Sequence, residues 1–149
     1  MVASVFFIPG GIHQGDFIRF KGCATKLAHR FDLNLQSGQD IDSPNIPFHF
    51  SVRFAEGRVA CNSRKQFGWE RELGNGPMPL YKGKPFDILV RVEQDGYIVE
   101  VDQEIFCRFP NRAYITTIDY IQVSGDISYM IVEHEHSPTK KNCLGQFKI

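Results

Sequence analysis

Short segments in which apolar and polar residues alternate recur along this chain and predict a structure built from β-strands. Residues 29–36, for example, place Phe31, Leu33 and Leu35 at every second position with polar residues between them. Because the side chains of a strand point alternately to its two faces, this spacing is typical of a strand with one face in the core. The other segments of this kind are 5–8, 16–21, 48–54, 58–62, 86–93, 97–102, 104–109, 118–124 and 127–132.

Turn-forming residues separate these segments. Asp95-Gly96 between two alternating runs predicts a tight hairpin, and the stretch GNGPMP at 74–79 predicts a loop. No segment has a helical periodicity of credible length. Roughly ten or eleven short strands without an internal repeat predict an all-β fold, a two-sheet antiparallel sandwich of the jelly-roll type.

Length and charge exclude several classes of partner. The chain has 149 residues, which suits one domain. Lys+Arg and Asp+Glu both number 17, so no basic excess points to nucleic acid or to an anionic membrane. No apolar stretch is long enough to cross a bilayer. The composition therefore predicts a neutral partner, with no nucleic-acid binding and no membrane insertion.

The cysteines do not form a recognisable motif. Cys23, Cys61, Cys107 and Cys143 are far apart in the sequence and contain no C-x-x-C pair. This spacing gives little support to a zinc site or to thiol–disulfide exchange. We expect mostly free thiols, with two or three of them buried as small apolar groups.

The segment 49–62 carries a group of polar residues that predicts a binding face. His49, Ser51 and Arg53 alternate with apolar residues, so their side chains share one face of the predicted strand. On the returning strand, Asn62 is out of step with the apolar Cys61 and faces away from the core in the same manner. Individually, His49 and Arg53 would more often be ordinary surface residues. Their common face favours a site.

Two further residues follow this face and suggest its chemistry. Trp69 is the single tryptophan, and Glu72 comes three positions later. A tryptophan is often a core residue, but the polar surroundings of Trp69 favour exposure. A flat indole covers the apolar face of a sugar ring, while its hydroxyls pair with donors and acceptors. The combined set of side chains therefore predicts a carbohydrate-binding site.

These residues resemble the carbohydrate-recognition pattern of the galectin family over about residues 2–133. The family has His, Asn and Arg at alternate positions of one strand, where this chain has His49, Ser51 and Arg53. Asn62 lies in the segment CNS, Trp69 follows seven positions later, and Glu72 falls on the family glutamate. The segments KGKPFDILV and VSGDI resemble later galectin strands. The resemblance implies a concanavalin-type jelly roll, with one recognition domain over 1–149 that has its core at about 2–133 and a C-terminal extension at about 134–149.

Two positions depart from the family pattern. Ser51 replaces the family asparagine and has a shorter reach. Gly74 stands where the family has an arginine that orients the glutamate and contacts the sugar. Loss of a charged hydrogen bond of this kind weakens binding by about 1.5–3 kcal/mol. Arg71 is a candidate to replace the missing arginine by reaching in from another position.

The resemblance implies a calcium-independent lectin for β-galactosides such as lactose and N-acetyllactosamine, without a cofactor. In galectins the His and Arg of the first strand, here His49 and Arg53, contact the axial 4-hydroxyl of galactose. The implied partners are galactose-containing glycans and glycoproteins, which a homo-oligomer would crosslink because linked weak sites gain effective concentration. The alternative is a galectin-fold protein-interaction module with weakened or altered sugar binding, which the departures at Ser51 and Gly74 support.

Patterns for other chemistry are weak. No Ser-His-Asp order or phosphate-binding glycine loop is present, and nothing places Glu70 and Glu72 on either side of a scissile bond, so we predict that the protein is not an enzyme. His134 and His136 share one face of a strand and would bind a metal if other ligands converged on them. The spacing reveals no such ligands, so we favour a structural or surface role and predict no metal site.

The two ends of the chain carry separate expectations. The run MVASVFFIPGG has no basic residues ahead of its apolar part and no clear cleavage site, so we interpret it as a strand. We therefore expect cytosolic synthesis without a signal peptide, and the resemblance implies export by a non-classical route. The last segment, HEHSPTKKNCLGQFKI, is either a frayed tail or a segment that docks on the body, and we favour docking.

Overall fold

The computed structural model describes residues 3–137 and 140–148, which form thirteen β-strands and two 3-10 helices. The strands are β1 Ala3–Phe7, β2 Phe17–Ala24, β3 Arg30–Gln36, β4 Ile46–Arg53, β5 Arg58–Lys65, β6 Gly68–Trp69, β7 Leu73–Asn75, β8 Pro85–Val92, β9 Gly96–Val101, β10 Glu104–Pro110, β11 Tyr120–Gly125, β12 Ile127–Ser137 and β13 Lys140–Lys148. The 3-10 helices are Phe54–Glu56 and Ile115–Thr117. Within the described residues there is no helix of the length and apolar character needed to cross a membrane.

The strands form two antiparallel sheets. The first contains seven strands in the order β1-β11-β3-β4-β5-β6, with β7 also paired to β5. The second contains six strands in the order β10-β9-β8-β2-β12-β13. The all-β, two-sheet antiparallel sandwich predicted from the alternating pattern is confirmed.

Aromatic side chains from both sheets meet in the core. Phe48 of β4 stacks on Tyr97 of β9 with ring centroids 4.6 Å apart, and Phe31 of β3 stacks on Phe86 of β8 at 5.3 Å. All four side chains are buried. Each such aromatic ring removes a large apolar area from water, and stacking adds to that gain. The inner faces of the two sheets are therefore held together by the residues that the alternation placed inside.

The strand count exceeds the predicted ten or eleven because β6, β7 and β13 are additional. The prediction of a loop at 74–79 is wrong for Gly74 and Asn75, which lie in β7 and pair with Ala60 and Val59 of β5. The loop was predicted because glycine is disfavoured in central strands. Strand β7, however, has only three residues and lies at the margin of its sheet, where this restriction is weaker. The predicted hairpin at Asp95-Gly96 joins β8 to β9 and is confirmed.

The described residues of the C-terminal segment dock on the body, while residues 138, 139 and 149 lie outside the described residues. Strand β13 pairs antiparallel with β12 and becomes the last strand of the six-stranded sheet. Leu144 packs against the main core, and a Cβ at Gly145 would lie 2.7 Å from the ring of Phe6. Of the two expectations for this segment, docking is therefore the one observed.

All four cysteines are free thiols, as expected. Cys23, Cys61 and Cys107 are buried, while Cys143 is exposed. The buried thiols behave as small apolar groups that add to the core.

Candidate functional site

The candidate site lies on the face of the seven-stranded sheet directed away from the core. Along β4, Phe48, Phe50 and Val52 point into the core, so the intervening His49, Ser51 and Arg53 share the opposite face. Strand β4 lies between β3 and β5. The predicted alternation along β4 is confirmed, and its polar residues are flanked by those of two neighbouring strands.

His49 is held in one orientation by a neighbouring amide. Its ring is 4% exposed, and its Nδ1 donates a hydrogen bond to Oδ1 of Asn34 over 2.6 Å. Burial, assisted by the charges of Arg30 and Arg53, lowers the pKa of His49 to about 4, although Asp32 and Glu72 oppose this shift. The imidazole is therefore neutral at pH 7. Because Nδ1 carries the hydrogen, Nε2 presents a lone pair and acts as an acceptor.

Ser51 links two charged groups and is itself fully buried. Its hydroxyl donates to Oδ1 of Asp32 over 2.6 Å and accepts a hydrogen bond from Nε of Arg53 at 3.1 Å. Arg30 donates two hydrogen bonds, of 2.9 and 3.0 Å, to the same aspartate. This interaction raises the pKa of Arg30. The serine proton is thus committed to Asp32, so Ser51 acts on the site by positioning Arg53.

Glu72 joins two arginines. Its carboxylate lies 2.8 Å from Nη1 of Arg53 and 2.8 Å from Nη2 of Arg58. The hydrogen bond from Arg58, helped by the charge of Arg53, lowers the pKa of Glu72, and Glu72 with Glu56 in turn raises the pKa of Arg58. Glu72 is therefore held by Arg53 through one carboxylate oxygen and by Arg58 through the other.

Arg58 is placed beside Gly74, the position at which the family arginine is missing. In the β4–β5 pairing Arg58 lies directly opposite Arg53, and in the β5–β7 pairing Gly74 lies opposite Ala60. A Cβ at Gly74 would lie 3.1 Å from Nη1 of Arg58, closer than most side-chain contacts. The absence of a side chain at Gly74 therefore leaves room for the guanidinium of Arg58.

Asn62 lies beside His49 in the β4–β5 pairing and is fixed by backbone groups. Its Nδ2 donates to the carbonyl oxygen of Glu70 at 3.2 Å, and its Oδ1 accepts from the backbone N–H of Ser63 at 2.8 Å. Arg112 reaches the same oxygen at 3.4 Å. These bonds hold the amide with its plane fixed, which leaves the second N–H of Nδ2 as a donor.

Trp69 lies outside the sandwich core. Strand β6 pairs with β5, and the indole is 48% exposed. Its ring centroid lies 4.5 Å from that of His49, with the planes inclined at 55°, and the guanidinium carbon of Arg64 lies 5.8 Å from the ring. The predicted exposure of Trp69 is confirmed. A flat apolar surface and the acceptor nitrogen of His49 are therefore adjacent.

The structure brings together six of the seven residues proposed from the sequence, and it adds others. The seventh, Arg71, is exposed, and its described contact is through its carbonyl oxygen, which accepts from Nη1 of Arg112 at 2.7 Å. The residues that the sequence analysis missed are Arg30, Asp32, Asn34, Arg58 and Arg112. For Arg58 a signal existed, because a hairpin that places Asn62 beside His49 also places residue 58 beside residue 53.

Comparison with known proteins identifies the family. Residues 4–134 match the family model described as galactoside-binding lectin. The chain is 30% identical to human galectin-7 over 120 residues, which covers 80% of this chain and 88% of galectin-7. It is 32% identical over 117 residues to a 32 kDa beta-galactoside-binding lectin of Haemonchus contortus, covering 78% of this chain and 41% of that lectin.

The fold agrees with this match. The crystal structure of chicken galectin 2 superposes with a TM-score of 0.78 at 26% identity, covering 88% of this chain and 97% of the chicken protein. The chain therefore belongs to the galactoside-binding lectin family, the galectins.

Proposed function

We propose that this protein is a non-enzymatic, calcium-independent lectin that binds β-galactosides such as lactose and N-acetyllactosamine. The observation that carries the proposal is the meeting of three features on one face of the seven-stranded sheet. These are a half-exposed indole at Trp69, a neutral imidazole at His49 and the Arg53–Glu72 ion pair. Together they offer a flat apolar surface beside fixed donors and acceptors, which is what a sugar ring requires.

Each polar group has a defined role in this proposal. The lone pair of Nε2 of His49 accepts a hydrogen bond from the 4-hydroxyl of galactose, and the oxygen of that hydroxyl accepts one from Arg53. Glu72 accepts from a further hydroxyl, and Asn62 donates through its remaining N–H. A sugar with an equatorial 4-hydroxyl leaves these partially buried partners unpaired, so we expect the site to reject glucose-type sugars strongly.

The decisive test is a calorimetric titration with lactose and N-acetyllactosamine, with cellobiose as the matched disaccharide that lacks galactose. All three titrations are run in the presence of a calcium chelator. We expect saturable binding of the two galactosides and none of cellobiose. Equal binding of cellobiose, or no binding of any galactoside, contradicts the proposal.

Arg58 takes the role of the missing family arginine in this site. It bonds to the glutamate that the family arginine orients, and its guanidinium occupies the space beside Gly74. We predict that Arg58→Ala weakens lactose binding severalfold, because Glu72 and Arg53 lose a partner that fixes their geometry. Arg71→Ala is the matched variant, since it removes an exposed arginine from the adjoining segment.

Titration of the Arg58 and Arg71 variants with lactose distinguishes the two candidates. If Arg71→Ala weakens binding more than Arg58→Ala, the substitute is Arg71, as the sequence suggested. If neither variant differs from the parent protein, no arginine replaces the family residue.

A protein-interaction module is the second candidate function. The observations that favour it are the missing side chain at Gly74 and the commitment of the Ser51 proton to Asp32. Passage over immobilised lactose, with elution by free lactose, separates the two functions. Failure to bind lactose and a broad glycan array would favour the interaction module.

We further propose that the protein crosslinks glycans as a homo-oligomer. Strand β13 ends the described six-stranded sheet, and a strand in that position offers backbone groups for pairing with a second copy. We predict a mass in solution at least twice the 17.0 kDa of one chain. Truncation after Ser137 removes β13 and is expected to give a monomer. If the truncated protein keeps the oligomer mass, β13 is not part of the interface.

A further inference from the structure

Two pairs of residues that are distant from each other in sequence, His13 with Asp16 and His134 with His136, come together in the six-stranded sheet where β2 begins. Asp16 immediately precedes β2, and His13 lies in the loop before it. His134 and His136 lie on the adjacent strand β12, where His134 pairs with Ile18 of β2. The sequence favoured a structural or surface role for the histidine pair because no further ligands were evident. The fold supplies two further ligands, His13 and Asp16.

Asp16 is the centre of this cluster. Its Oδ2 accepts hydrogen bonds from the backbone N–H of His13 and from Nε2 of His134, each at 2.8 Å. Its Oδ1 accepts from Nδ1 of His136 at 3.2 Å, and Nδ1 of His13 lies 3.9 Å from Oδ2. The rings of His13 and His136 are 5.2 Å apart. The imidazoles of His134 and His136 are therefore hydrogen-bonded to one carboxylate, and the imidazole of His13 lies close to it.

In the described part of the chain, hydrogen bonds rather than a lysine or arginine offset the charge of Asp16. The carboxylate is 1% exposed, and in the described part of the chain its ion-pair partners are histidines rather than lysine or arginine. A buried carboxylate is costly unless hydrogen bonds and a positive charge offset its lost hydration. A bound cation would supply that charge.

The loop that carries Asp16 is fixed to β8, whereas two of the histidines are accessible to solvent. Gly15 donates to the carbonyl oxygen of Val92 at 2.7 Å, and Val92 donates to that of Asp16 at 2.9 Å, so the loop is tied to β8. The side chains of His13 and His136 are 61% and 30% exposed, whereas His134 is fully buried. An ion from solvent would thus reach the two exposed imidazoles and the carboxylate beneath them.

We propose that His13, Asp16 and His136 bind a zinc ion, a role separate from sugar binding. The ligands are one nitrogen from each histidine and one carboxylate oxygen, with water completing a tetrahedron. The three protein atoms already lie within 4.8 Å of one another. Tetrahedral zinc requires ligand atoms about 3.3 Å apart, which a modest rotation of the exposed imidazoles provides. Mixed nitrogen and oxygen ligands suit zinc and do not suit calcium, which prefers oxygen.

His134 is a positioning residue in this site. Its Nε2 holds one carboxylate oxygen of Asp16, which leaves the other oxygen directed toward His136. Hydrogen bonds of this kind fix the orientation of a ligand and increase the affinity of the site for its metal. Zinc would join the loop before β2 to strand β12 and so stabilise the folded state.

The test is calorimetric titration of the chelator-stripped, reduced full chain with zinc chloride. We expect one zinc ion per chain and a rise in the thermal unfolding temperature on its addition. His13→Gln and His136→Gln are each expected to weaken binding by more than about tenfold. Cobalt added in place of zinc should give the intense visible absorption of a tetrahedral site in the parent protein but not in the His13→Gln and His136→Gln variants.

Two control variants separate this site from adventitious zinc binding. His29→Gln makes the same change at an exposed histidine outside the cluster, and Cys143→Ser removes the exposed thiol. Both are expected to bind zinc as the parent protein does. His13 is largely exposed, so His13→Gln is expected to fold normally and decides the outcome even if His136→Gln does not. Absence of saturable binding, or equal binding by His13→Gln, overturns the proposal and leaves Asp16 as a structural hub.

Discussion

Replacement of Trp69 by alanine is expected to reduce lactose affinity by at least about thirtyfold, equivalent to about 2 kcal/mol. The indole is 48% exposed and lies 4.5 Å from the His49 ring, centroid to centroid, so it provides the apolar surface of the proposed site. Removing it exposes both the sugar face and His49 to water. Calorimetric titration of the variant with lactose measures the loss.

Two matched variants make the Trp69 experiment specific. Tyr81→Ala removes an exposed aromatic side chain outside the proposed site and is expected to leave lactose affinity unchanged. Trp69→Phe keeps a smaller ring and is expected to give an intermediate affinity. Thermal unfolding should be similar in all three variants because neither side chain belongs to the core. A Trp69→Ala variant that binds lactose like the parent protein would remove the indole from the site.

Local patterns were sufficient to predict the sandwich. Phe48, Phe50 and Val52 occupy every second position of β4, and a period of two leaves one arrangement in which all of them are buried. The same reasoning placed His49 and Arg53 together on the opposite face. Strand β7 was missed because Gly74 and Asn75 have low strand propensity, and tertiary pairing with β5 overrides that preference.

The connections within the site were much less predictable. The alternation in β3 placed Asp32 and Asn34 on the polar face, but only the register between β3 and β4 sets them opposite Ser51 and His49. A nine-residue connection of irregular sequence between these strands does not fix that register. The series of hydrogen bonds from Arg30 through Asp32 to Ser51 therefore depends on tertiary structure and could not be predicted from the local sequence.

The cluster around Asp16 could not be predicted from local sequence patterns either, because its members lie still farther apart in the chain. Asp16 and His134 are separated by 118 positions, and their contact depends on the pairing of β2 with β12. Sequence spacing identifies metal ligands when they are close together in the chain, as in C-x-x-C pairs. Ligands that come from separate strands leave no such signal.

Lowering the pH from 7 to 5 is expected to reduce the free energy of unfolding by about 2 kcal/mol through His49 alone. Burial lowers the pKa of this imidazole from 6.5 to about 4 in the folded protein. Between these values the unfolded chain binds a proton that the native protein does not, so stability rises with pH. The contribution is complete above pH 6.5 and is lost as the pH falls toward 4. Urea denaturation at several pH values measures it.

The groups around His49 define which variant isolates this effect. Asp32 and Glu72 favour the charged imidazole, while Arg30 and Arg53 oppose it, and burial outweighs all four. The carboxyl pKa values of Glu72 and Asp126 are lowered, so their own contributions are lost at still lower pH. His49→Gln should therefore flatten the dependence between pH 7 and 5, whereas His29→Gln at an exposed site should retain it.

A His49→Gln variant with the same slope as the parent protein would contradict this assignment. Titration of the His49 ring near pH 6.5, followed by NMR, would contradict it as well. Either result would mean that the imidazole charges readily in the folded protein. The proposed acceptor role of Nε2 depends on a neutral ring, since a charged imidazole donates from both nitrogens. The pH dependence of stability therefore tests the same property on which recognition of the 4-hydroxyl depends.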